Sequence, residues 1–245
     1  HQYAMQAINA GKHVLVEKPT AVTTDEIEDL KNAASDKGVQ VAPVHNYIYE
    51  PSVTRAKELI NSGKIGDLVS IYVLYNIHHP EAVAARYPGV IRQILTHHAY
   101  CTLYLIGQPE KVSCMKATIN DGTVPQENIA MVTIKMKNQA LSHLCASFAS
   151  DDHAGDPWTF MIKVIGTKGA TRYSYRDWVE NTPAVVHSQT YSAYPYTIRS
   201  MGKHFLEQVV GKGEKPLSTL DDASTCMKII EACEQSVSEE RHITL

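Results

Sequence analysis

Lys18 stands two residues past the apolar run His13-Val14-Leu15-Val16 and is followed at once by Pro19. A short continuous apolar run suits a strand buried on both faces of a parallel sheet. The lysine then lies at the carboxyl edge of that sheet, where open α/β folds bind ligands. A cation at such an edge can stabilise a developing alkoxide. The proline holds its neighbour Lys18 in an extended conformation. A loop lysine whose stem packs on the sheet is the other reading, and both stay open on the residues alone.

His97 and His98 form a second candidate site. A neutral imidazole titrates near working pH and can take or return a proton. The two rings point about 100° apart around a helix, so one can face a site while its neighbour does not. Either can equally be a buried structural imidazole. His78-His79 resembles a metal pair, but no acid or cysteine sits at a ligand spacing from it. Asp151–Asp156 resembles a cation loop but lacks the remaining ligands and glutamate of a calcium hand, so it reads as a polar hairpin loop. No metal site is expected. Five widely spaced cysteines without a CxxC pair read as buried free thiols of a reducing cytosol.

The elements that must hold these residues can be read from pattern. Residues 1–10 form the end of a helix stopped at Gly11. Thr23-Thr24-Asp25-Glu26 opens a second helix with a hydroxyl cap and an acidic first turn, and Gly38 ends it. Val39–Val44 is the next buried strand, so residues 1–44 contain a strand–helix–strand crossover of a parallel sheet. After Pro51 come a helix over Val53–Ser62, a strand over Leu68–Ile77 and a loop over Pro80–Gly89. One continuous helix is expected over Ile91–Ile106. Strands are expected at Lys111–Ile119, Ile129–Lys137, Ala140–Ser147, Thr159–Ile165 and Ala170–Tyr175. Helices over Tyr196–Val210 and Leu220–Ser238 and a strand-like end at His242–Leu245 close the chain. The expected fold class is therefore α/β plus α+β. Residues 1–44 supply the C-terminal part of a Rossmann-type parallel sheet, and residues 45–245 a domain with a large, mostly antiparallel open sheet flanked by helices.

The 245 residues are 44% hydrophobic and 20% charged, enough apolar material for a folded core. A net charge of −3 without a polybasic run speaks against a nucleic-acid or anionic-membrane partner. No apolar stretch approaches the ~20 residues that span a bilayer, and no signal peptide is seen, so a cytoplasmic location is expected.

Ala10-Gly11-Lys12-His13-Val14-Leu15-Val16-Glu17-Lys18-Pro19 closely resembles a signature of the Gfo/Idh/MocA family of NAD(P)-dependent oxidoreductases. Further stretches resemble the family in order along the chain. They are Thr23–Glu26, Val44-His45-Asn46-Tyr47, Gly63-Lys64-Ile65-Gly66, Gly166-Thr167-Lys168-Gly169 and Asp221-Asp222-Ala223. In the family a helix carries an Asp and, four residues later, a His. Counting back from Gly107 puts the His at His97 and the Asp position at Gln93, a departure from the commonest pattern. A carboxamide can bind a hydroxyl but cannot serve as a base.

The resemblance implies hydride transfer between a secondary ring hydroxyl of a sugar, glycoside (at C3 in one reading) or cyclitol and NAD or NADP, with NAD favoured. It implies His97 as general acid/base, Lys18 as the cation beside the reacting oxygen, and Gln93 on a neighbouring hydroxyl. Glu17, Lys18, Pro19, Asn46 and Tyr47 are implied at the cofactor. His98, His79 and Trp158 are further substrate candidates. Tyr191–Tyr196 is a possible substrate wall or subunit contact, in a chain with 13 Tyr and 3 Phe. A homo-oligomer through the open sheet face is expected. A non-catalytic ligand-binding or regulatory member of the same fold is the alternative. No G-x-G-x-x-G turn occurs in residues 1–245. Family members begin with that turn, so the chain is expected to join the fold about two βαβ units late, roughly 60–80 residues. These residues alone are then expected not to bind NAD tightly, for want of its phosphate cradle.

Overall fold

The computed structural model describes residues 1–119, 124–150, 159–174 and 194–245. Helix α1 (Gln2–Asn9) leads into strand β1 (Val14–Val16), which pairs in parallel with β2 (Val41–Pro43) across helix α2 (Thr24–Lys37). The start of α2 follows from its residue types. The Thr23 hydroxyl accepts the Glu26 amide, and the Glu26 carboxylate accepts the Thr23 amide in return. Its end follows from Gly38, which takes the left-handed conformation at φ 62°.

A 3-10 turn (Asn46–Tyr49) and helix α3 (Pro51–Asn61) carry the chain to the second sheet. That sheet has seven strands in the order β8-β7-β3-β6-β5-β4-β9. In sequence they are β3 (Leu68–Asn76), β4 (Pro109–Ala117), β5 (Ile129–Met136), β6 (Leu141–Ser147), β7 (Thr159–Gly166), β8 (Ala170–Ser174) and β9 (Ile243–Thr244). Every pairing is antiparallel except β3 with β6. The mostly antiparallel open sheet is thus as expected. Its strands alternate as one-sided burial requires: Ile71, Val73, Val132, Ile134, Ile162 and Val164 face inward, while Tyr72, Met115, Met131 and Leu141 are exposed.

Two of the family-like turns lock onto each other where β3 begins and β7 ends. Lys168 donates its amide to the Ile65 carbonyl at 2.8 Å, and Asp67 donates its amide to the Thr167 hydroxyl at 3.0 Å. A Cβ on Gly166 would collide with the Ile65 carbonyl oxygen, so the close approach needs glycine there.

The stretch between β3 and β4 departs from its expected form. Residues read as loop contain one helical turn, α4 (Glu81–Ala84), in the Ala-rich part of the stretch. The helix expected to be continuous over Ile91–Ile106 is broken at Ile94 into α5 (Val90–Gln93) and α6 (Leu95–Ile106). No proline or glycine marks the break, so its cause is tertiary. Helix α6 is buried all round, with Tyr104 alone partly exposed.

Helix α7 (Tyr194–His204) continues into a π-helical segment (Phe205–Val210), and helix α8 (Leu220–Glu239) follows. These late elements return to the first sheet. Phe205 and Val209 pack with Ala42 and Leu15, and α8 touches both α2 and β4. Arg92, one residue before Gln93, forms a two-pronged ion pair with Glu234 of α8 at 2.6 and 2.7 Å and donates to the Val22 carbonyl. It thereby ties α5 to α8 and to the loop that follows Lys18. All five cysteines are free and buried.

Candidate active site

The carboxyl end of β1 opens into a cavity of about 340 Å³ lined by Lys18, Gln93 and His97, with Tyr47, Tyr75 and His79 among its other walls. The volume falls in the ~300–1,000 Å³ range of small-molecule sites. Sequence-distant groups meet here: Lys18 from the end of β1, Gln93 from the end of α5, and His97 from the first turn of α6.

The break at Ile94 has a direct role in this meeting. In an unbroken α-helix the Gln93 carbonyl would accept the His97 amide. The His97 amide instead donates to the Ile94 carbonyl at 2.9 Å, and the Gln93 carbonyl accepts the Lys18 ammonium at 2.7 Å. The backbone thus gives up one helical bond and fixes the lysine. The Lys18–Pro19 peptide is cis. Burial lowers the Lys18 pKa to about 8, against the pull of nearby Glu17 in the opposite direction.

His97 is buried, and its Nδ1 lies 2.8 Å from the Tyr100 hydroxyl. Burial, then the Lys18 charge and the neighbouring His98 and His45, hold its pKa well below the usual imidazole range. His97 is therefore neutral near pH 7. Tyr47 meets its ring edge-on at 5.2 Å.

The remaining candidates fall in distinct places. Tyr47 lines the cavity, whereas Asn46 lies behind it, donating to the Thr197 hydroxyl at 2.8 Å and accepting from Tyr100 at 3.3 Å. Glu17 is exposed, with its carboxylate accepting the Lys18 amide, and Pro19 is half-buried beside it. His79 lines this cavity and also a neighbouring one of about 270 Å³ that runs past His78 and Glu127. Trp158, Asp151–Asp156 and Tyr191 to residue 193 lie outside the described residues. Tyr194 and Tyr196 begin α7, and Tyr194 is a cavity wall.

His98 does not reach the cavity, which corrects its place among the substrate candidates. Its ring is fully buried at 0% exposure between Tyr75 and Phe160, and neither nitrogen has a hydrogen-bond partner. The helical offset from His97 turns it into the core. Tyr100, Asn46 and Thr197 as supports of His97 were not foreseen. The i,i+3 spacing of His97 and Tyr100 on one helical face was the available signal. Among the described residues no group of three or more His, Cys, Asp or Glu could hold a metal.

A parallel strand pair ending in a lysine-bearing loop is thus joined to a mostly antiparallel sheet whose buried helix presents a histidine. Residues 1–45 match the NAD-binding Rossmann fold of an oxidoreductase family, and residues 53–172 match the GFO/IDH/MocA C-terminal domain. The chain belongs to the Gfo/Idh/MocA family.

Among curated relatives, scyllo-inositol 2-dehydrogenase (NADP(+)) IolW of Bacillus subtilis is 36% identical over 120 residues, 46% of this chain and 33% of that protein. Glucose-6-phosphate 3-dehydrogenase of the same species is 24% identical over 189 residues, 70% of this chain and 53% of that protein. The chain thus spans about a third to a half of the length of these relatives. Among solved structures, scyllo-inositol dehydrogenase from Lactobacillus casei with bound NAD(H) and scyllo-inositol superposes with a TM-score of 0.80 at 18% identity. That match covers 99% of this chain and 76% of the other, and it shows a shared fold.

Proposed function

We propose that this chain forms part of an NAD(P)-dependent dehydrogenase that interconverts a secondary ring hydroxyl of a sugar, glycoside or cyclitol and the corresponding ketone. The observation that carries this reading is the meeting of Lys18 and His97 in one cavity at the carboxyl end of β1. The names of the relatives support the same substrate class.

The cavity fits the nicotinamide end of such a cofactor. Lys18 and Tyr47 stand on its wall at the ends of the two parallel strands, with Glu17, Pro19 and Asn46 next to them. Aromatic and aliphatic faces from Tyr47, Tyr75, Ile77 and Val83 give a flat ring apolar neighbours. When bound, the nicotinamide supplies the carbon that accepts or returns hydride. NAD is the first cofactor to test and NADP the second.

The protein's own residues do the rest. His97, neutral because it is buried, takes the proton of the reacting hydroxyl as the C–H bond breaks. Lys18, fixed by the Gln93 carbonyl, holds the same oxygen and stabilises the negative charge that develops on it. The Gln93 side chain binds a neighbouring hydroxyl. In the reverse direction His97 returns the proton to the carbonyl oxygen. Oxidation at C3 of a glycoside is the finer reading. It rests on the carboxamide of Gln93 in place of the commoner carboxylate and on the likeness to glucose-6-phosphate 3-dehydrogenase.

The test is NAD and NADP reduction by the whole protein with a panel of inositols, aldoses and glycosides. Turnover is expected with at least one ring alcohol, and Lys18→Ala and His97→Ala should each remove most of kcat. Binding of a sugar without turnover would point to the non-catalytic alternative. Full kcat in both variants would sink the assignment.

The outer sheet face supports a second copy of this chain as partner. Tyr72, Met115, Met131 and Leu141 lie exposed on it, an apolar surface that pairing of two sheets would cover. Light scattering on the whole protein should give a multiple of the single-chain mass, and a monomer at micromolar concentration would exclude it. No helix among the described residues is long and apolar enough to cross a membrane. A cytoplasmic location is part of the same reading.

A further inference from the structure

We propose that Tyr100 is a positioning residue that holds His97 in the tautomer with its proton on Nδ1, and that Asn46 and Thr197 set the direction of the Tyr100 hydroxyl. This rests on the reading of His97 as the base. It adds which nitrogen does the work and what decides it.

The argument is a count of protons along one buried chain of contacts. Thr197 donates its hydroxyl proton to the Tyr194 carbonyl at 2.7 Å. It has no second proton, so towards Asn46 it can only accept. Asn46 therefore turns its Nδ2 to Thr197, at 2.8 Å, and its Oδ1 to Tyr100, at 3.3 Å. An amide oxygen only accepts, so the single Tyr100 proton is committed to Asn46. The Tyr47 amide, which can only donate, also points at the Tyr100 oxygen at 3.3 Å. What remains on that oxygen is acceptor capacity. The His97 Nδ1, 2.8 Å away, must then carry the proton and donate it.

Nε2 is left with its lone pair. His97 lines the cavity with Lys18 and Gln93, so Nε2 is the atom that takes the substrate proton. The opposite tautomer would put a proton on Nε2 and leave the ring unable to act as a base from that side. Burial favours neutral partners throughout the chain. It holds the Tyr100 hydroxyl well above its ordinary pKa and the His97 ring well below its own. His45 stacks on the Tyr100 ring at 4.3 Å and limits its movement. In the commonest family pattern a carboxylate stands four residues before the histidine. Here a neutral phenol three residues after it supplies the oriented partner.

The test is histidine ¹⁵N NMR on the whole protein, with the His97 signals assigned by their loss in His97→Ala. In the wild type Nδ1 should show the shift of a protonated, pyrrole-like nitrogen and Nε2 that of a bare, pyridine-like one. Tyr100→Phe removes the acceptor. Thr197→Val frees the Asn46 amide to turn its Nδ2 to Tyr100, which sends the phenol proton to His97 Nδ1. Both variants should raise the Nε2–H population, and both should lower kcat about tenfold or more with KM within about twofold. Two substitutions at separate sites guard against one of them failing to fold. A wild-type ring protonated on Nε2, or an Nδ1–H ring that neither variant disturbs, overturns the proposal. Loss of the base reading has its own signature: full kcat in His97→Ala, whatever the tautomer.

Discussion

His97 and His98 are neighbours in one helix, both buried and both neutral, yet they sit in opposite kinds of surroundings. His97 has a cavity on one side and a hydrogen-bonded chain of Tyr100, Asn46 and Thr197 on the other. His98 lies between the Tyr75 and Phe160 rings with neither nitrogen partnered. A buried imidazole gains chemistry only when one nitrogen is oriented and the other is reachable. Burial alone makes it a core side chain that resists protonation. The pair therefore separates the two consequences of burial, and substitutions at each should move different observables.

The largest effect is expected at His97. Replacing it with Ala should lower kcat about 10²–10⁴-fold, the usual range for removing a general base, and the lost bond to Tyr100 should cost about 1 kcal/mol of stability besides. A loss of stability with kcat kept would make His97, like His98, a core side chain and remove the base reading.

Next comes Lys18, whose charge is proposed to act on the same reacting oxygen. Lys18→Met should cost about 10²–10³ in kcat. With a pKa near 8, the wild-type lysine loses its cation as pH rises through that value, so kcat should fall on the alkaline side. The Met variant should lack that limb. A wild-type rate that climbs through pH 8 would show that Lys18 works as a neutral amine, a base in its own right.

His98 should sharpen the comparison through stability. Burial lowers its pKa to about 3 in the folded protein from 6.5. Between those values the unfolded chain binds a proton that the folded one refuses. The stabilising effect of a neutral ring is thus fully present above pH 6.5 and lost as pH falls towards 3. The slope is about 1.4 kcal/mol per pH unit for one such group. His98→Leu should flatten the acid side of the stability curve by that slope. It should also remove an unpartnered polar ring, a gain of about 1 kcal/mol at neutral pH, with kcat within about twofold of wild type. Denaturant titrations from pH 7 to pH 4 would show both.

The sequence made parts of this arrangement legible and hid others. The Thr23–Glu26 cap, the strand before Lys18 and the left-handed Gly38 follow from local residue types, so they could be read directly. The facing of His97 followed from helical spacing together with the family register. The break at Ile94 could not be read, because Val90–Ile106 contains no proline or glycine to mark it. It exists where Lys18, far away in sequence, takes the Gln93 carbonyl. The support of His97 was half legible. Tyr100 is one turn along the same helix, but Asn46 and Thr197 come from a 3-10 turn and from α7, and only the tertiary fold brings them together.

His45 gives the smallest effect, as an intermediate case between the two neighbours. Like His98 it is fully buried, with a pKa lowered to about 3 by burial and then by the Lys18 charge. Like His97 it has a partner, the Ser218 hydroxyl 2.7 Å from its Nδ1. Ser218→Ala should leave that nitrogen without a partner and cost about 1 kcal/mol, the net worth of one neutral hydrogen bond. Its effect on kcat separates packing from orientation. The His45 ring stacks on Tyr100, so a ring held by stacking alone should keep Tyr100 in place and kcat within about twofold. A larger fall in kcat, with KM unchanged, would mean that Ser218 and His45 belong to the support of His97. The polar chain behind the cavity would then extend one residue pair further into the core than its hydrogen bonds alone require.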